Sequence, residues 1–248
     1  MYSPSDLAYY NRGLQFPQII MANINTTIST VMFPVVSKVQ DDLERLKMLT
    51  RKSIRVSSYF VFPLMAGMAV AAEPMVRVLL TDKWIMTVPY LRIFCFTHAV
   101  IIMQIAIQNA IMARGRSDVF LKMDIISKVL GIMLLIGVIN QGVTAIALIS
   151  IVTGIFNVVI KAIVSKRMIG YTYREHLSDN VPILIAAAIM GVAVYLINLF
   201  DFSSITKLCI QIPLGIAIYL LLSFLFKLEG FAFVLEYVKK FKRGKRYV

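Results

Sequence analysis

The 248-residue chain is 59% hydrophobic and 16% charged, with a mean hydropathy of +0.78, whereas soluble domains run about 45–50% apolar and about 25% charged. Its formal charge is +13, from 26 Lys and Arg against 13 Asp and Glu. This excludes a disulfide-stapled secreted protein and a disordered one, because no soluble core of this size hides so much apolar surface.

A membrane-crossing helix needs roughly 20 mostly apolar residues, set by a hydrocarbon core about 30 Å thick and a rise of about 1.5 Å per residue. Seven windows qualify in chain order: about 14–36, 57–80, 87–111, 118–139, 142–164, 181–200 and 206–226. The expected fold is therefore an all-α polytopic membrane bundle of about seven transmembrane helices. The last two windows, VPILIAAAIMGVAVYLINLF and TKLCIQIPLGIAIYLLLSFLF, are the cleanest. The cations test this division. Lys38, Arg45, Lys47, Arg51, Lys52 and Arg55 follow the first span. Arg114 and Arg116 follow the third, Lys166, Arg167 and Arg174 the fifth, and Lys227 with six more Lys and Arg the seventh. The alternate connections hold only Arg12, Lys83 and Lys207. Positive charge on every second loop predicts an external N-terminus and a cytoplasmic C-terminus. An external start without an apolar leader points in turn to a missing upstream span and a truncated or split chain.

Between spans one and two, Asp41 and Asp42 precede Leu43, Leu46 and Leu49, a pattern for a short amphipathic helix on the cytoplasmic face. In the tail, Phe231, Val234, Val238 and Phe241 recur at helical steps among lysines and arginines, which predicts an interfacial helix on anionic lipid rather than a nucleic-acid site. Trp84 and Tyr90 fall where boundary aromatics are expected. The expected organisation is an external segment (1–13), a five-helix core (14–164), a cytoplasmic connection (165–180), two peripheral transmembrane helices (181–227) and a basic amphipathic tail (228–248).

Polar groups at membrane depth are costly and so nominate a site, weighed against local pairing. Span one carries Asn23, Asn25, Thr26, Thr27, Ser29 and Thr30, too many for a face toward lipid. Span two has Pro63 and then Glu73-Pro74, the mark of a kinked or broken helix, with Arg77 one turn beyond Glu73. Span three holds Arg92, His98, Gln104, Gln108 and Asn109; span four holds Lys122, Asp124 and Lys128, the last two at i,i+4. With loops and tail accounted for, the remaining cations are Arg77, Arg92, Lys122, Lys128 and Lys161. The candidate substrate cavity is therefore Lys128, Arg92, Asp124, Lys122, Asn23, Asn25, Gln104 and Gln108, with Pro63, Glu73 and Pro74 as the helix break and gating element. Cys95 and Cys209 sit in no ligand motif, and no metal, cofactor or catalytic signature occurs. The pattern suits transport better than enzyme chemistry.

Several stretches together resemble one family: Leu7-Ala8-Tyr9-Tyr10-Asn11-Arg12, Phe33-Pro34-Val35-Val36-Ser37-Lys38-Val39-Gln40-Asp41-Asp42, Phe62-Pro63-Leu64-Met65-Ala66-Gly67, Ala72-Glu73-Pro74, Lys83-Trp84 and Pro89-Tyr90-Leu91-Arg92. They are similar to the C-terminal half of bacterial polysaccharide exporters, in the multidrug/oligosaccharidyl-lipid/polysaccharide flippase superfamily. The resemblance implies one lobe of a two-lobe transporter in the bacterial inner (plasma) membrane. It implies alternating access with an undecaprenyl-pyrophosphate-linked oligosaccharide as substrate, for O-antigen or exopolysaccharide synthesis. Lys128 and Arg92 would then attract the pyrophosphate, and a separate chain could supply the first lobe. The competing expectations are a cation-coupled multidrug exporter of the same superfamily, with Asp124 as its acid, and a non-transporting membrane fragment or scaffold.

Overall fold

The computed structural model describes residues 3–233, and the interfacial helix expected in the basic tail beyond Phe233 lies outside them. The described residues hold helices and connecting turns, with no strand. The helices are α1 (Pro4–Ser37), α2 (Leu43–Val70), α3 (Ala72–Leu79), α4 (Val88–Ala113), α5 (Ser117–Val138), α6 (Val143–Ile169), α7 (Tyr173–Tyr195) and α8 (Ser204–Leu225). Short 3-10 turns at Asp82–Thr87 and Leu196–Leu199 join α3 to α4 and extend α7. Six of the long helical segments are long and apolar enough to cross a membrane. The seventh, α5, is long enough at 22 residues but carries Lys122, Asp124 and Lys128. The chain is a multi-pass membrane protein.

Several helices start earlier than hydropathy predicts. Ser3 caps α1: its hydroxyl accepts from the Asp6 amide and Asp6 bonds back to the Ser3 amide, with Pro4 in the first turn. This reciprocal box starts the helix ten residues before the apolar window. Residues 4–13, expected as an external segment, are thus continuous with span one. Thr172 and Glu175 form the same box at the start of α7, eight residues before its apolar stretch. Just before it, Gly170 closes α6 in the left-handed region, at φ +66°.

The largest departure is in α2. Leu43–Val56 is not a separate helix on the membrane face but the first half of one 28-residue helix, about 42 Å long at the usual rise. Asp42 caps it, accepting from the Arg45 amide at 3.0 Å. From Leu43 to Phe62 there is no Gly or Pro to interrupt it. Pro63 leaves it unbroken, and the break falls at Ala71, with Pro74 in the first turn of α3.

Helix α4 is central and packs against α1, α2 and α6; α2 also meets α7, α5 leans on α6, and α8 lies outside α7. Small residues permit the close approaches. Gly191 of α7 faces Val70 and Ala66 of α2, and a Cβ on Gly13 would sit 2.6 Å from the Tyr90 Cβ. The buried apolar residues form two clusters. One, around Met65, Leu91, Cys95 and Met190, lies toward the α3 end; the other, around Leu46, Ile54, Ile107 and Ile111, lies toward the opposite end. Outward faces of α5 to α8 expose Ile132, Ile136, Val152, Val192, Ile212 and Leu221, the composition of a lipid-facing surface.

Candidate functional site

Helices α1 and α4 run the same way, and their second halves enclose a groove of about 500 Å³. Asn25, Ser29, Thr30 and Phe33 line it from α1; Ile105, Gln108, Asn109 and Met112 line it from α4. The spacing of 25, 29 and 33, met by 105, 108, 109 and 112, places each set on one helix face. Across the groove, Asn109 Nδ2 donates to Ser29 Oγ at 3.3 Å, and Ser29 donates to Asn25 Oδ1 at 3.4 Å. Behind the α4 wall, Lys161 of α6 reaches Gln108 Oε1 with its Nζ at 3.5 Å. Among the described residues Lys161 has no carboxylate within ion-pair distance. It lies eight residues, about 12 Å, from the C-terminal end of α6. A half-buried lysine with one amide contact and Asp124 beyond ion-pair distance is a weakly matched charge at membrane depth. The groove can therefore offer amide and hydroxyl groups to a polar ligand and positive potential to an anion.

The predicted cavity residues divide. Asn25 and Gln108 line the groove. Asn23 is on the exposed side of α1 and donates to the Ile19 carbonyl at 2.9 Å, while Thr26 and Thr27 bond their own helix four residues back. Gln104 is buried, donating to the Gly154 carbonyl of α6 at 3.1 Å, which makes it a tie between helices rather than a groove residue. Lys128 pairs with Asp124 at 2.9 Å along α5, its side chain 73% exposed. Lys122 is exposed on the same helix. None of the three α5 residues lines the groove.

Arg92 serves the helix break. The end of α2 leaves carbonyls without partners of their own. Arg92 donates to the Ala69 carbonyl at 3.2 Å, and Asn198 to that of Val70 at 3.1 Å. Beyond the break, Glu73 pairs with Arg77 at 3.0 Å, as the i,i+4 spacing predicts, and Arg77 also pairs with Asp82. The expected boundary aromatics turn inward. Trp84 meets Tyr9 edge-on at 5.8 Å and lies under the Arg12 guanidinium, and Tyr10 packs on Tyr90 and Phe94. His98 bonds the Phe94 carbonyl at 3.0 Å, and both cysteines are free.

Residues 1–89 match the family model described as polysaccharide biosynthesis protein. The chain is 24% identical over 192 residues to the lipopolysaccharide biosynthesis protein WzxC of Escherichia coli, covering 74% of this chain and 39% of that protein. It is 22% identical over 227 residues to the teichuronic acid biosynthesis protein TuaB of Bacillus subtilis, covering 87% and 46%. These likenesses support a family of polysaccharide exporters and lipid-linked flippases. A membrane protein encoded in the cps region of Klebsiella pneumoniae is 30% identical over 105 residues, 42% of this chain and 22% of its own length. A solved structure of the lipid II flippase MurJ, in an inward closed conformation, superposes with a TM-score of 0.77 at 21% identity, over 91% of this chain and 48% of that one. The chain thus spans less than half the length of each of these relatives, and the fold is the flippase fold. The quoted motifs at Tyr9–Arg12, Lys83-Trp84 and Tyr90, distant in sequence, are the ones that pack together.

Sequence reasoning missed a second polar assembly, between α2 and α7. Arg51 grips Asp179 with two parallel bonds of 2.8 Å, Arg55 adds one of 2.6 Å, and Tyr171 donates to the same carboxylate at 3.0 Å. Lys47 pairs with Glu175 at 2.8 Å, Arg51 also reaches Glu175, and Arg55 reaches Glu229. Asp179 is only 2% exposed. Burial, with the adjoining carboxylate second, pushes the Tyr171 hydroxyl above its ordinary range, so it stays a donor. The basic stretch 45–55 reads in the sequence as loop charge; the capping box at Thr172–Glu175, which carries α7 back to include Glu175 and Asp179, was its legible signal.

Proposed function

We propose that this chain forms one lobe of a transporter that moves an undecaprenyl-pyrophosphate-linked oligosaccharide across the bacterial inner membrane by alternating access, for O-antigen or exopolysaccharide synthesis. The relatives' names and the flippase fold support the class. The groove between α1 and α4, with Lys161 behind it, supports the substrate chemistry. Its hydroxyls and amides suit sugar hydroxyls, and Lys161, with no ion-pair contact among the described residues, suits a pyrophosphate. The lysine is the observation that carries the proposal, and it displaces Lys128, which is paired with Asp124, and Arg92, which sits at the end of α2 about 20 Å along α4 from the groove.

In this reading the second lobe faces α1 and completes the cavity, supplied by a longer polypeptide or by a separate chain. The N-terminal end of α1 lies outside and the basic connections lie in the cytoplasm, in keeping with the positive-inside pattern. The basic tail then meets anionic lipid. Within a complete exporter containing this lobe, Lys161→Ala is expected to cut surface polysaccharide about tenfold, the effect of one lost charge-assisted contact, at unchanged protein level. Unchanged polymer would overturn the assignment. The drug-exporter reading gains nothing from Asp124, which is already paired with Lys128.

A further inference from the structure

A second cavity, of about 370 Å³, opens at the α3 end between α3 and the start of α8, remote from the groove. Glu73 and Arg77 stand on one side, Ser203, Ser204 and Lys207 on the other, and Asn198 between them. Asn198 is held on three sides: it donates to the Val70 carbonyl, its side-chain oxygen accepts from Gln211 at 2.8 Å, and its carbonyl accepts from Lys207 at 3.2 Å. This floor is built and polar. Gln211 beneath it is buried, and its Oε1 has no hydrogen-bond partner.

The two signs of charge are divided. Arg77 is committed to carboxylates, with Nε and Nη2 on Glu73 Oε1 and Nη1 on Asp82. Lys207 spends one hydrogen on Asn198 and keeps two. Glu73 Oε2 receives no hydrogen bond from the described residues. The cavity therefore presents a cation with spare donors and, separately, a carboxylate oxygen with spare acceptor capacity. Its surroundings are apolar and exposed: Leu199 and Phe200 before α8 and Ile205 in its first turn, with Phe200 stacked on Phe202, and Val78 and Leu79 on α3. A zwitterionic pocket edged by hydrocarbon surface fits a lipid better than a free solute.

We propose that this cavity binds the headgroup of a glycerophospholipid bearing a primary amine, its phosphodiester on Lys207 and its ammonium on Glu73. The acyl chains lie over the Phe200 and Leu79 surfaces. This site is independent of the groove and of the substrate assigned to it.

The test is native mass spectrometry of the full chain in mild detergent, titrated with phosphatidylethanolamine, phosphatidylcholine and phosphatidylglycerol of matched acyl chains. Phosphatidylethanolamine is expected to be retained about tenfold better than phosphatidylcholine, whose trimethylammonium has no N–H to give Glu73. Lys207→Ala should lower retention of all three lipids, with Lys207→Arg restoring it, and Glu73→Gln should erase the preference for the primary amine. Thermal melting of each variant separates lost binding from lost fold. Equal retention of phosphatidylethanolamine and phosphatidylcholine by the unaltered chain overturns the proposal. So does a folded Lys207→Ala variant that keeps full retention. Soluble phosphoethanolamine binding as tightly as the lipid would overturn the role given to the apolar surround.

Discussion

The ion network between α2 and α7 and the groove between α1 and α4 both place polar side chains where helices meet, but only the first is electrically closed. At the α2–α7 contact, Lys47, Arg51 and Arg55 face Glu175, Asp179 and Glu229, and the one deeply buried carboxylate collects four bonds. Such a network repays its desolvation only while every member is present, so it joins helices and has no capacity left for a ligand. In the groove, the amides and hydroxyls bond one another at 3.3 and 3.4 Å, and Lys161 has an amide contact at 3.5 Å but no carboxylate within ion-pair distance among the described residues. Its long, exchangeable contacts and surplus charge are what a binding surface requires. Charge closure, rather than polarity, separates the structural assembly from the functional one.

The sharpest way to break this contrast is to open the closed network. Arg51→Ala with Arg55→Ala strands Asp179 with Tyr171 alone and should destabilise the protein by about 3–5 kcal/mol, the penalty for an uncompensated buried charge. A melting curve in detergent superimposable on that of the unaltered protein would refute the closure. Next, Lys161→Met should separate the two properties. The melting temperature stays or rises, because an unpaired charge leaves the membrane interior, while polymer export falls about tenfold in a complete exporter. A lower melting temperature would make Lys161 a structural residue.

Away from both assemblies, Gly13→Ala forces a methyl against Tyr90 and should cost about 1–3 kcal/mol by overpacking. Chemical denaturation of the two proteins side by side would reveal it. The smallest effect is expected at Lys128, whose pair with Asp124 is largely exposed. Lys128→Ala should shift stability by no more than about 0.5 kcal/mol and leave export intact. A large export defect in that variant would return the cationic role to α5.

Much of the helix plan was legible because a hydrocarbon slab imposes one requirement on every span: enough apolar length with all backbone groups bonded internally. The windows for α4, α5, α6 and α8 lie within a few residues of their helices apart from the end of α6, which runs on to Ile169. The early starts of α1 and α7 differ because hydropathy marks where lipid begins, whereas Ser3–Asp6 and Thr172–Glu175 mark where the helix begins. For α2, a charged amphipathic stretch was separable from the apolar span by composition, but no residue there terminates a helix.

The sequence by itself determined a polytopic helical membrane protein, its family resemblance, and the small set of residues from which a site had to be drawn. Hydropathy, cap chemistry and motif identity are local quantities, and they survive without knowledge of what lies across a helix. Only the tertiary structure decided which of those residues act together. Lys128 and Lys161 are both lysines at membrane depth, yet one meets a carboxylate a turn away on an exposed face and the other meets an amide on a neighbouring helix. Arg92 caps a broken helix and Gln104 ties two helices, roles set by carbonyls distant in sequence. Whether a charge is matched depends on helix azimuth and packing, and these are settled when α1, α4 and α6 come together.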